Sequence, residues 1–284
     1  MSLNPLNLFD SHTVNWFMQN LGEPTAVQEE AWPAIASGKH TLVSAPTGTG
    51  KTLSAFLVFI DRLKAQARAG TLKQELQLIY VSPLKSLAGD IRENLRKPLA
   101  GIYELEQRES TSLESTSLKS TSINSSFSDI HIAIRTGDTP QNERRKMIKT
   151  PPHILITTPE SLYLMITSMS GQSILKTARV IILDELHALI DSKRGAHLML
   201  SIARLDKLCP EPLQRIGLSA TIEPLSIAAE YLSPEAVEIV APKMHKDVKL
   251  VITSPLSDHR IIFKDSVWQE LAQTVYAHCE GTRS

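Results

Sequence analysis

Several features that would point to a particular class of protein are scarce or missing in this sequence of 284 residues. Only two cysteines are present, Cys209 and Cys279, and their distance along the chain fits neither a zinc site nor a disulfide framework. No apolar run approaches the roughly 18 residues of a membrane helix, and the N-terminus lacks the basic and apolar regions of a secretory signal. These absences predict a reducing, intracellular compartment, the cytoplasm, and no membrane partner.

The formal net charge is zero, because 30 lysines and arginines balance 30 aspartates and glutamates. A chain without a global positive field does not attract polyanions from a distance, so any contact with one must come from a local arrangement of groups. The apolar fraction of 42% and the charged fraction of 21% are those of an ordinary globular protein. The length allows one large or two small domains.

The sequence does contain a regular alternation of short β-rich apolar runs and longer helical stretches. Within 51–66, Leu53, Phe56 and Ile60 recur at helical spacing. The run 180–183 is apolar without alternation, which is typical of a strand buried on both faces of a parallel sheet. The alternation predicts an α/β fold, a mostly parallel sheet with helices on both faces. The predicted strands are 41–45, 77–82, 129–134, 153–157, 178–184, 215–219, 237–241 and 248–254, and the predicted helices are 26–37, 51–66, 85–99, 195–208 and 265–279.

One segment departs from this alternation. From Ser110 to Asn124 a five-residue unit that begins Ser-Thr-Ser occurs three times, and such a polar tract buries too little apolar surface to offset the entropy of ordering. We predict a disordered insertion at 109–128, with a phosphorylated regulatory loop as the alternative. It interrupts a first domain of residues 1–243. Residues 244–284 are interpreted as a linker and the truncated start of a second domain.

The strongest motif is Ala-Pro-Thr-Gly-Thr-Gly-Lys-Thr at 45–52, between a predicted strand and a predicted helix. Its glycines allow successive N–H groups to turn inward around a phosphate, and the following helix adds the positive end of its dipole. In such loops the lysine reaches the β and γ phosphates and the last threonine holds Mg²⁺. Ala45 stands where the strict consensus has glycine. The motif predicts a site for ATP and Mg²⁺ formed by Pro46, Thr47, Gly48, Thr49, Gly50, Lys51 and Thr52.

A second motif, Asp184-Glu185, directly follows the apolar run 180–183. At the carboxyl edge of a parallel sheet, Asp184 would face the phosphate loop and hold Mg²⁺, while Glu185 would orient and deprotonate the attacking water. Charge neutralisation and alignment of the nucleophile are separate tasks, so phosphoryl transfer needs both carboxylates. Together the two motifs predict a P-loop NTPase.

Six short motifs, in order along the chain, resemble those of superfamily 2 helicases. Asp184-Glu185-Leu186-His187 resembles the DExH box, and Ser219-Ala220-Thr221 resembles the motif that links ATP state to the grip on nucleic acid in that superfamily. The others are a Q motif at 24–28 with Phe9 upstream, motif Ia at 80–85, an intervening loop at 135–139 and motif Ib at 157–162. The residues in these motifs, with those at 192–198 and 217–222, are most similar to the large helicase-related (Lhr) family.

This resemblance implies a RecA-like domain and assigns roles to individual residues. Thr25 and Gln28 would bind the adenine, with Phe9 stacking nearby. His187, Ser219 and Thr221 would couple ATP turnover to a bound nucleic-acid strand. Loops at one sheet edge would hold a single strand, DNA in preference to RNA, largely by its backbone. That implied contact set is Pro83, Lys85, Arg135, Thr136, Gly137, Thr158 and Pro159. The basic run Arg144, Arg145, Lys146 and Lys149 is interpreted as a solvated helix face.

Three functions remain open at this point. The first is an ATP-dependent DNA helicase or translocase, represented by its first motor domain. The second is a nucleotide- and nucleic-acid-binding module without turnover, because superfamily 2 motors take catalytic arginines from a second RecA-like domain of the parent chain. The third is an RNA remodeller of the DEAD-box type. His187, in place of an aspartate, and the continuation Lys193-Arg194-Gly195 argue against this class. We expect the chain to bind Mg–ATP, to hydrolyse it very slowly and to unwind nothing by itself.

Overall fold

The computed structural model describes residues 4–114, 130–243 and 266–279, and the statements that follow concern those residues. The chain divides into two compact units, Met1–Lys243 and Met244–Ser284. The first unit holds the sheet and its flanking helices. In the second, the described residues form one helix, α10 (Ser266–Cys279), whose Trp268 and Tyr276 side chains are exposed.

A sheet of seven parallel strands forms the centre of the first unit, in the spatial order β3-β4-β2-β5-β6-β1-β7. Because every strand runs the same way, the loops that follow the strands all emerge at one edge. The strands are β1 (His40–Ser44), β2 (Leu78–Val81), β3 (Ile132–Arg135), β4 (Ile154–Thr157), β5 (Val180–Leu183), β6 (Gln214–Ser219) and β7 (Val237–Val240).

Helices cover both faces of this sheet. The first face packs against α1 (Ser11–Leu21), α2 (Ala26–Ala36), α3 (Lys51–Arg68) and α4 (Leu87–Glu114). The second face packs against α5 (Gln141–Lys149), α6 (Pro159–Ile166), α7 (Met169–Leu175), α8 (Lys193–Leu208) and α9 (Leu225–Leu232). Two short 3₁₀ turns lie at Pro5–Leu8 and Leu186–Ala188.

The core is split by the sheet into two apolar clusters, and β5 shows how one strand serves both. Val180 and Ile182 belong to the cluster under α1–α4, whereas Ile181 and Leu183 belong to the cluster under α5–α9. Successive side chains of a strand point to opposite faces, so an unbroken apolar run is needed where both faces are covered. The predicted α/β fold with helices on both faces is confirmed.

Helix starts in this unit follow local sequence signals. Thr25 and Gln28 form a capping box at the start of α2, and Ser168 and Ser192 cap α7 and α8 with their side chains. In contrast, α3 begins after Gly50, which has a left-handed backbone (φ 84°) and no side-chain cap. The first N–H groups of α3 are therefore not satisfied by a capping side chain, which leaves them available to an anion.

The structure differs from the sequence-based expectations in several places. Helix α4 begins at Leu87, continues past the expected end at residue 99, and includes Ser110–Glu114. The first copy of the serine repeat is therefore helical, which corrects the prediction of a disordered insertion at that end. The rest of the insertion, 115–129, and the predicted strand 248–254 lie outside the described residues. Helices α1, α5, α6, α7 and α9 were not predicted; none exceeds 11 residues, too short for a strong periodic signal.

Candidate functional site

The loops at the carboxyl edge of the sheet are joined to one another by hydrogen bonds that continue beyond the strands. The Ala45 N–H donates to the Ser219 carbonyl at 3.2 Å, and the Asp184 N–H donates to the Val81 carbonyl at 2.9 Å. On the other half of the sheet, the Ser82 N–H donates to the Thr157 carbonyl at 3.0 Å. The candidate residues therefore project from a continuous backbone framework instead of from independent loops.

The phosphate loop has the backbone that its glycines predict. Gly48 and Gly50 have φ values of 80° and 84°, in the left-handed region that side chains rarely adopt. The Thr49 hydroxyl donates to the Pro46 carbonyl at 2.8 Å and so closes the loop from within. The Lys51 ammonium donates to the same carbonyl at 2.8 Å and to the Ala45 carbonyl. The lysine thus lies against the rim of its own loop, and burial lowers its pKa.

The two carboxylates of the acidic motif lie close to this lysine but in different surroundings. Asp184 is 9% exposed, accepts the Glu185 N–H at 2.9 Å, and accepts a hydrogen bond from the buried Tyr80 hydroxyl. Burial raises the pKa of Asp184, although the Tyr80 hydrogen bond and the charge of Lys51 oppose that shift. Glu185 has a left-handed backbone (φ 49°) and a partly exposed side chain. One carboxylate is therefore fixed and buried, and the other is accessible.

A cavity of about 910 Å³ brings these residues together. Thr47, Gly48, Gly50, Lys51 and Thr52 line it from the phosphate loop, and Asp184 and Glu185 line it from the end of β5. The cavity continues between α1 and α4, where its lining was not predicted from the sequence. That part is lined by Trp16, Asn20, Leu21, Asn94, Lys97, Pro98, Ala100, Gly101 and Glu104.

The Q-motif residues lie behind the phosphate loop. Gln28 is 4% exposed, its amide oxygen accepts the Thr25 N–H at 2.9 Å, and its amide nitrogen lies against Gly50. The Thr25 hydroxyl donates to the Thr49 carbonyl at 2.9 Å. Phe9 packs edge-on against Trp32, with ring centroids 4.9 Å apart. Thr25 and Gln28 thus contact the phosphate loop, whereas Phe9 packs on Trp32, and the prediction that these residues bind adenine stays a prediction.

His187 connects the acidic motif to the Ser-Ala-Thr motif. Its Nδ1 accepts the Ala220 N–H at 3.2 Å and lies 3.4 Å from the Ser219 hydroxyl, while its Nε2 lies 3.5 Å from a Glu185 carboxylate oxygen. Because the backbone N–H can only donate, Nδ1 carries the lone pair and the ring proton lies on Nε2, toward Glu185. Ser219 is buried and Thr221 is exposed. Of the residues predicted to couple ATP turnover to nucleic-acid binding, His187 and Ser219 are therefore in contact.

The residues predicted to hold a nucleic-acid strand lie at the ends of β2, β3 and β4. The Lys85 ammonium lies 3.2 Å from both carboxylate oxygens of Asp138 and close to Gly137, so the β2 and β3 loops meet. Thr158 is buried and caps α6, and Pro159 begins that helix. The other predicted contact residues are a buried Pro83, a half-buried Arg135 and a buried Thr136.

Two further contacts at this edge were not predicted. Arg144, interpreted as part of a solvated helix face, is half-buried and donates to backbone carbonyls of the β3–α5 loop, which corrects that interpretation. Arg194 and Glu160 form a two-point ion pair, with N–O distances of 2.5 and 3.0 Å, between the first turns of α8 and α6. Arg194 holds the pKa of Glu160 below its usual value.

Comparison with known proteins agrees with this architecture. The family model for DEAD/DEAH box helicases matches residues 25–228. An "Lhr helicase/ probable uracil glycosylase" of Mycolicibacterium smegmatis is 44% identical over 99% of this chain, which spans 18% of that protein. The "Lhr helicase/uracil glycosylase" of Escherichia coli is 41% identical over 89% of the chain, which spans 16% of it. The chain thus corresponds to less than a fifth of the length of these relatives.

A solved structure supports the same assignment. The structure of Mycobacterium smegmatis helicase Lhr bound to ssDNA and AMP-PNP superposes with a TM-score of 0.81 at 43% identity, covering 99% of this chain and 34% of that one. The predicted RecA-like fold and the predicted resemblance to Lhr helicases are confirmed. Since the family model covers well over half of the sequence, the chain belongs to the DEAD/DEAH box helicase family.

Proposed function

We propose that this chain is the first motor domain of an ATP-dependent helicase or translocase that binds Mg–ATP and a single nucleic-acid strand. The observation that carries the proposal is the cavity in which Lys51, Thr52, Asp184 and Glu185 come together beside a left-handed glycine loop. One cation, one hydroxyl and two carboxylates at the edge of a parallel sheet are the set that nucleoside triphosphate hydrolysis requires.

The triphosphate would lie over the phosphate loop at the start of α3. The N–H groups of the first turn of α3 have no side-chain cap, and the helix dipole favours an anion at that point. Lys51 would exchange its bonds to the Ala45 and Pro46 carbonyls for the β and γ phosphates. Because neutral carbonyls are weaker partners than phosphates for an ammonium, this exchange is favourable.

The residues around Asp184 fit a magnesium ion. The Tyr80 hydroxyl donates a hydrogen bond to Asp184, and Thr52 and Asp184 line the same cavity, so a hydroxyl and a carboxylate are available to one ion. Hard oxygen ligands suit Mg²⁺, which proteins commonly bind through one or two carboxylates plus substrate phosphates. When bound, Mg²⁺ would neutralise charge on the β and γ phosphates.

Hydrolysis would use Glu185 to orient and deprotonate water. The partly exposed side chain of Glu185 projects from the strand end that also fixes Asp184. His187 joins Glu185 to the Ser219–Ala220 backbone, so a change at the γ-phosphate can move the loop after β6. These contacts support the proposed coupling of ATP turnover to nucleic-acid binding.

We propose DNA as the nucleic acid. Support comes from the Mycobacterium smegmatis relative, whose solved structure holds ssDNA and AMP-PNP. The alternative is an RNA remodeller of the DEAD-box type, in which an aspartate would replace His187. Competition between DNA and RNA oligonucleotides of equal length for the full-length protein separates the two. Tighter binding of RNA would overturn the DNA assignment.

We further propose that this domain needs a second RecA-like domain for turnover and acts in the cytoplasm. An arginine supplied by a second domain contributes roughly 10³–10⁵ to the rate of phosphoryl transfer in enzymes of this type. A binding module without turnover is therefore the function expected of the chain alone. No helix of the described part of the chain is long and apolar enough to cross a membrane.

Titration of the chain with a fluorescent ATP analogue tests the nucleotide site. Lys51→Ala is expected to weaken binding roughly 10- to 100-fold, because a charge-assisted contact with phosphate is lost. Lys73→Ala is the matched control, since Lys73 is exposed and precedes β2, at the opposite edge of the sheet. Equal affinities of the two variants would overturn the proposed site, and rapid DNA-stimulated hydrolysis by the unaltered chain would overturn the need for a second domain.

A further inference from the structure

The loop between β3 and α5 is held by one arginine of the following helix. The Arg144 Nε donates to the Thr139 carbonyl at 2.7 Å, and its Nη2 donates to the Gly137 carbonyl at 2.8 Å and reaches the Thr136 carbonyl at 3.5 Å. The guanidinium thus spans the loop with its planar fork, which a lysine ammonium does not reproduce. Neutral carbonyls accept from its Nε and Nη2 atoms.

Thr139 closes the same loop from the inside. Its hydroxyl oxygen accepts the Thr136 N–H at 2.8 Å, and its hydroxyl donates to the Ile134 carbonyl at 3.2 Å. Thr136 and Thr139 are both buried, whereas Gly137 and Asp138 are exposed. Thr136 and Thr139 therefore form the fixed base of the loop, and Gly137 and Asp138 form its exposed tip. Arg144 contacts the carbonyls of Thr136, Gly137 and Thr139.

Fixing these carbonyls also fixes the N–H groups of the tip. Each peptide unit is planar and trans, so its N–H points opposite to its C=O. The Thr136 carbonyl shares a peptide plane with the Gly137 N–H, and the Gly137 carbonyl shares one with the Asp138 N–H. Since Arg144 draws both carbonyls toward itself, the two N–H groups are directed away from it. Adjacent backbone N–H groups of this kind form an anion-binding concavity.

Two other basic side chains, those of Arg135 and Lys85, lie next to this loop. Arg135 at the end of β3 is half-buried with an Nη1 that has no hydrogen-bond partner among the described residues, and its pKa is lowered by burial and by the charge of Arg144. Lys85 is exposed and lies beside Gly137. These two cations border the exposed tip, whereas the Nε and Nη2 donors of Arg144 are directed to the backbone of the loop.

We infer that Arg144 is a positioning residue for nucleic-acid binding, which shapes the 136–139 loop so that the Gly137 and Asp138 N–H groups meet a phosphodiester. The inference rests on the proposed function, and it assigns to Arg144 an indirect role in place of a direct phosphate contact. A positioning role predicts that geometry matters more than charge at this residue.

Binding of a fluorescein-labelled oligothymidylate to the chain, followed by anisotropy over a series of salt concentrations, separates geometry from charge. Arg144→Lys keeps the charge and loses the fork, and is expected to weaken binding roughly tenfold, the equivalent of one or two neutral hydrogen bonds. The slope of log affinity against log salt is expected to stay unchanged. A direct phosphate contact would instead leave Arg144→Lys close to the unaltered chain and would lower the slope of Arg144→Ala by about 0.7.

Arg145→Ala is the matched control, because Arg145 is the next residue on α5 and is exposed. It is expected to lose less affinity than Arg144→Lys, although it loses a full charge. Affinity for the ATP analogue is expected to be the same in all variants. Amide hydrogen exchange gives a second readout. The Thr136 N–H donates to the Thr139 hydroxyl and the Thr139 N–H donates to the Thr136 carbonyl, so both amides are expected to exchange faster in Arg144→Lys, even if Arg144→Ala fails to fold.

The outcomes distinguish this inference from the proposed function. If Arg144→Lys binds the oligonucleotide as the unaltered chain does, or exchanges its loop amides no faster, the positioning role is wrong and the helicase assignment is unaffected. If the unaltered chain fails to bind the oligonucleotide at low salt, where backbone contacts are strongest, the proposed nucleic-acid site fails and this inference fails with it.

Discussion

Two glycines of the phosphate loop offer a sharp test of how the loop is supported. Gly48 and Gly50 have nearly the same left-handed backbone, with φ values of 80° and 84°. A Cβ added at Gly48 would meet no atom within 4 Å, whereas a Cβ at Gly50 would lie 2.6 Å from the Gln28 amide nitrogen and 3.2 Å from its Cδ. Alanine at either position therefore introduces the same backbone strain, but only Gly50→Ala displaces a buried side chain.

The expected magnitudes follow from these contacts. Left-handed strain costs about 1–2 kcal/mol for alanine, so Gly48→Ala should destabilise the first unit by that amount. In Gly50→Ala, the displaced Gln28 also loses its capping bond to the Thr25 N–H, about 1 kcal/mol, and must be repacked, about 1 kcal/mol or more. The difference between the variants, about 2 kcal/mol, corresponds to roughly 4–8 °C in Tm for a domain of this size.

Urea and thermal unfolding followed by circular dichroism measure this difference, and a double-mutant cycle assigns it. Gln28→Ala removes all three side-chain atoms that a Cβ at Gly50 would approach. In that background the two glycine variants should become equally stable, so the coupling energy between positions 28 and 50 should be about 2 kcal/mol. Equal destabilisation by Gly48→Ala and Gly50→Ala in the unaltered background would refute the reasoning, as would additive effects in the cycle.

Two other predictions concern single carboxylates. Because burial raises the folded-state pKa of Asp184, its ionisation lowers stability as pH rises from its ordinary value of 3.8 through the raised value. At neutral pH, the Tm of Asp184→Asn should therefore be no lower than that of the unaltered chain, and any difference in Tm should disappear as the pH approaches 4. A Tm of Asp184→Asn well below that of the unaltered chain at neutral pH would contradict this. Asp138→Asn frees the exposed Lys85 ammonium from an ion pair. We therefore expect oligonucleotide binding, measured by anisotropy, to become about two- to fivefold tighter, with a change in the free energy of unfolding within about 0.5 kcal/mol. Weaker binding would contradict the predicted contact of Lys85 with the strand.

The arrangement of the candidate nucleotide site could be predicted from the sequence because each of its two motifs is a contiguous segment. The phosphate loop and the acidic pair each follow a strand directly, and parallel strands deliver their ends to the same edge. Asp184 and Lys51 thus come together through topology alone, without any knowledge of side-chain packing. The roles of these residues in catalysis stay predictions.

Features that depend on packing between distant segments could not be predicted in the same way. In the cavity wall between α1 and α4, Trp16 packs directly on Gly101, where a Cβ would lie 2.2 Å from the indole nitrogen. In the same way, the Gln28 side chain occupies the space that the absent side chain of Gly50, 22 residues away, leaves open. Neither contact has a periodic or motif signal in the sequence.

Arg144 is a case in which a signal was present but weak. The run from Arg144 to Lys149 is strongly charged, and its one buried apolar residue is Met147. Residues three apart share a helix face, so Met147 marks Arg144 and not Arg145 as the arginine that turns inward. Composition alone treats the two arginines as equivalent, whereas the helical rotation between them decides which one reaches the loop.

The position of β6 in the sheet sets the distance between the strand ends that carry the phosphate loop and the acidic pair. It lies between β1, which leads into the phosphate loop, and β5, which leads into the acidic pair, and it forms a continuous ladder with each. Two strand spacings separate β1 from β5, roughly 9–10 Å in all. That spacing is fixed by main-chain hydrogen bonds, so substitutions in the apolar core can alter stability while leaving the separation of the strand ends that carry the phosphate loop and Asp184 unchanged.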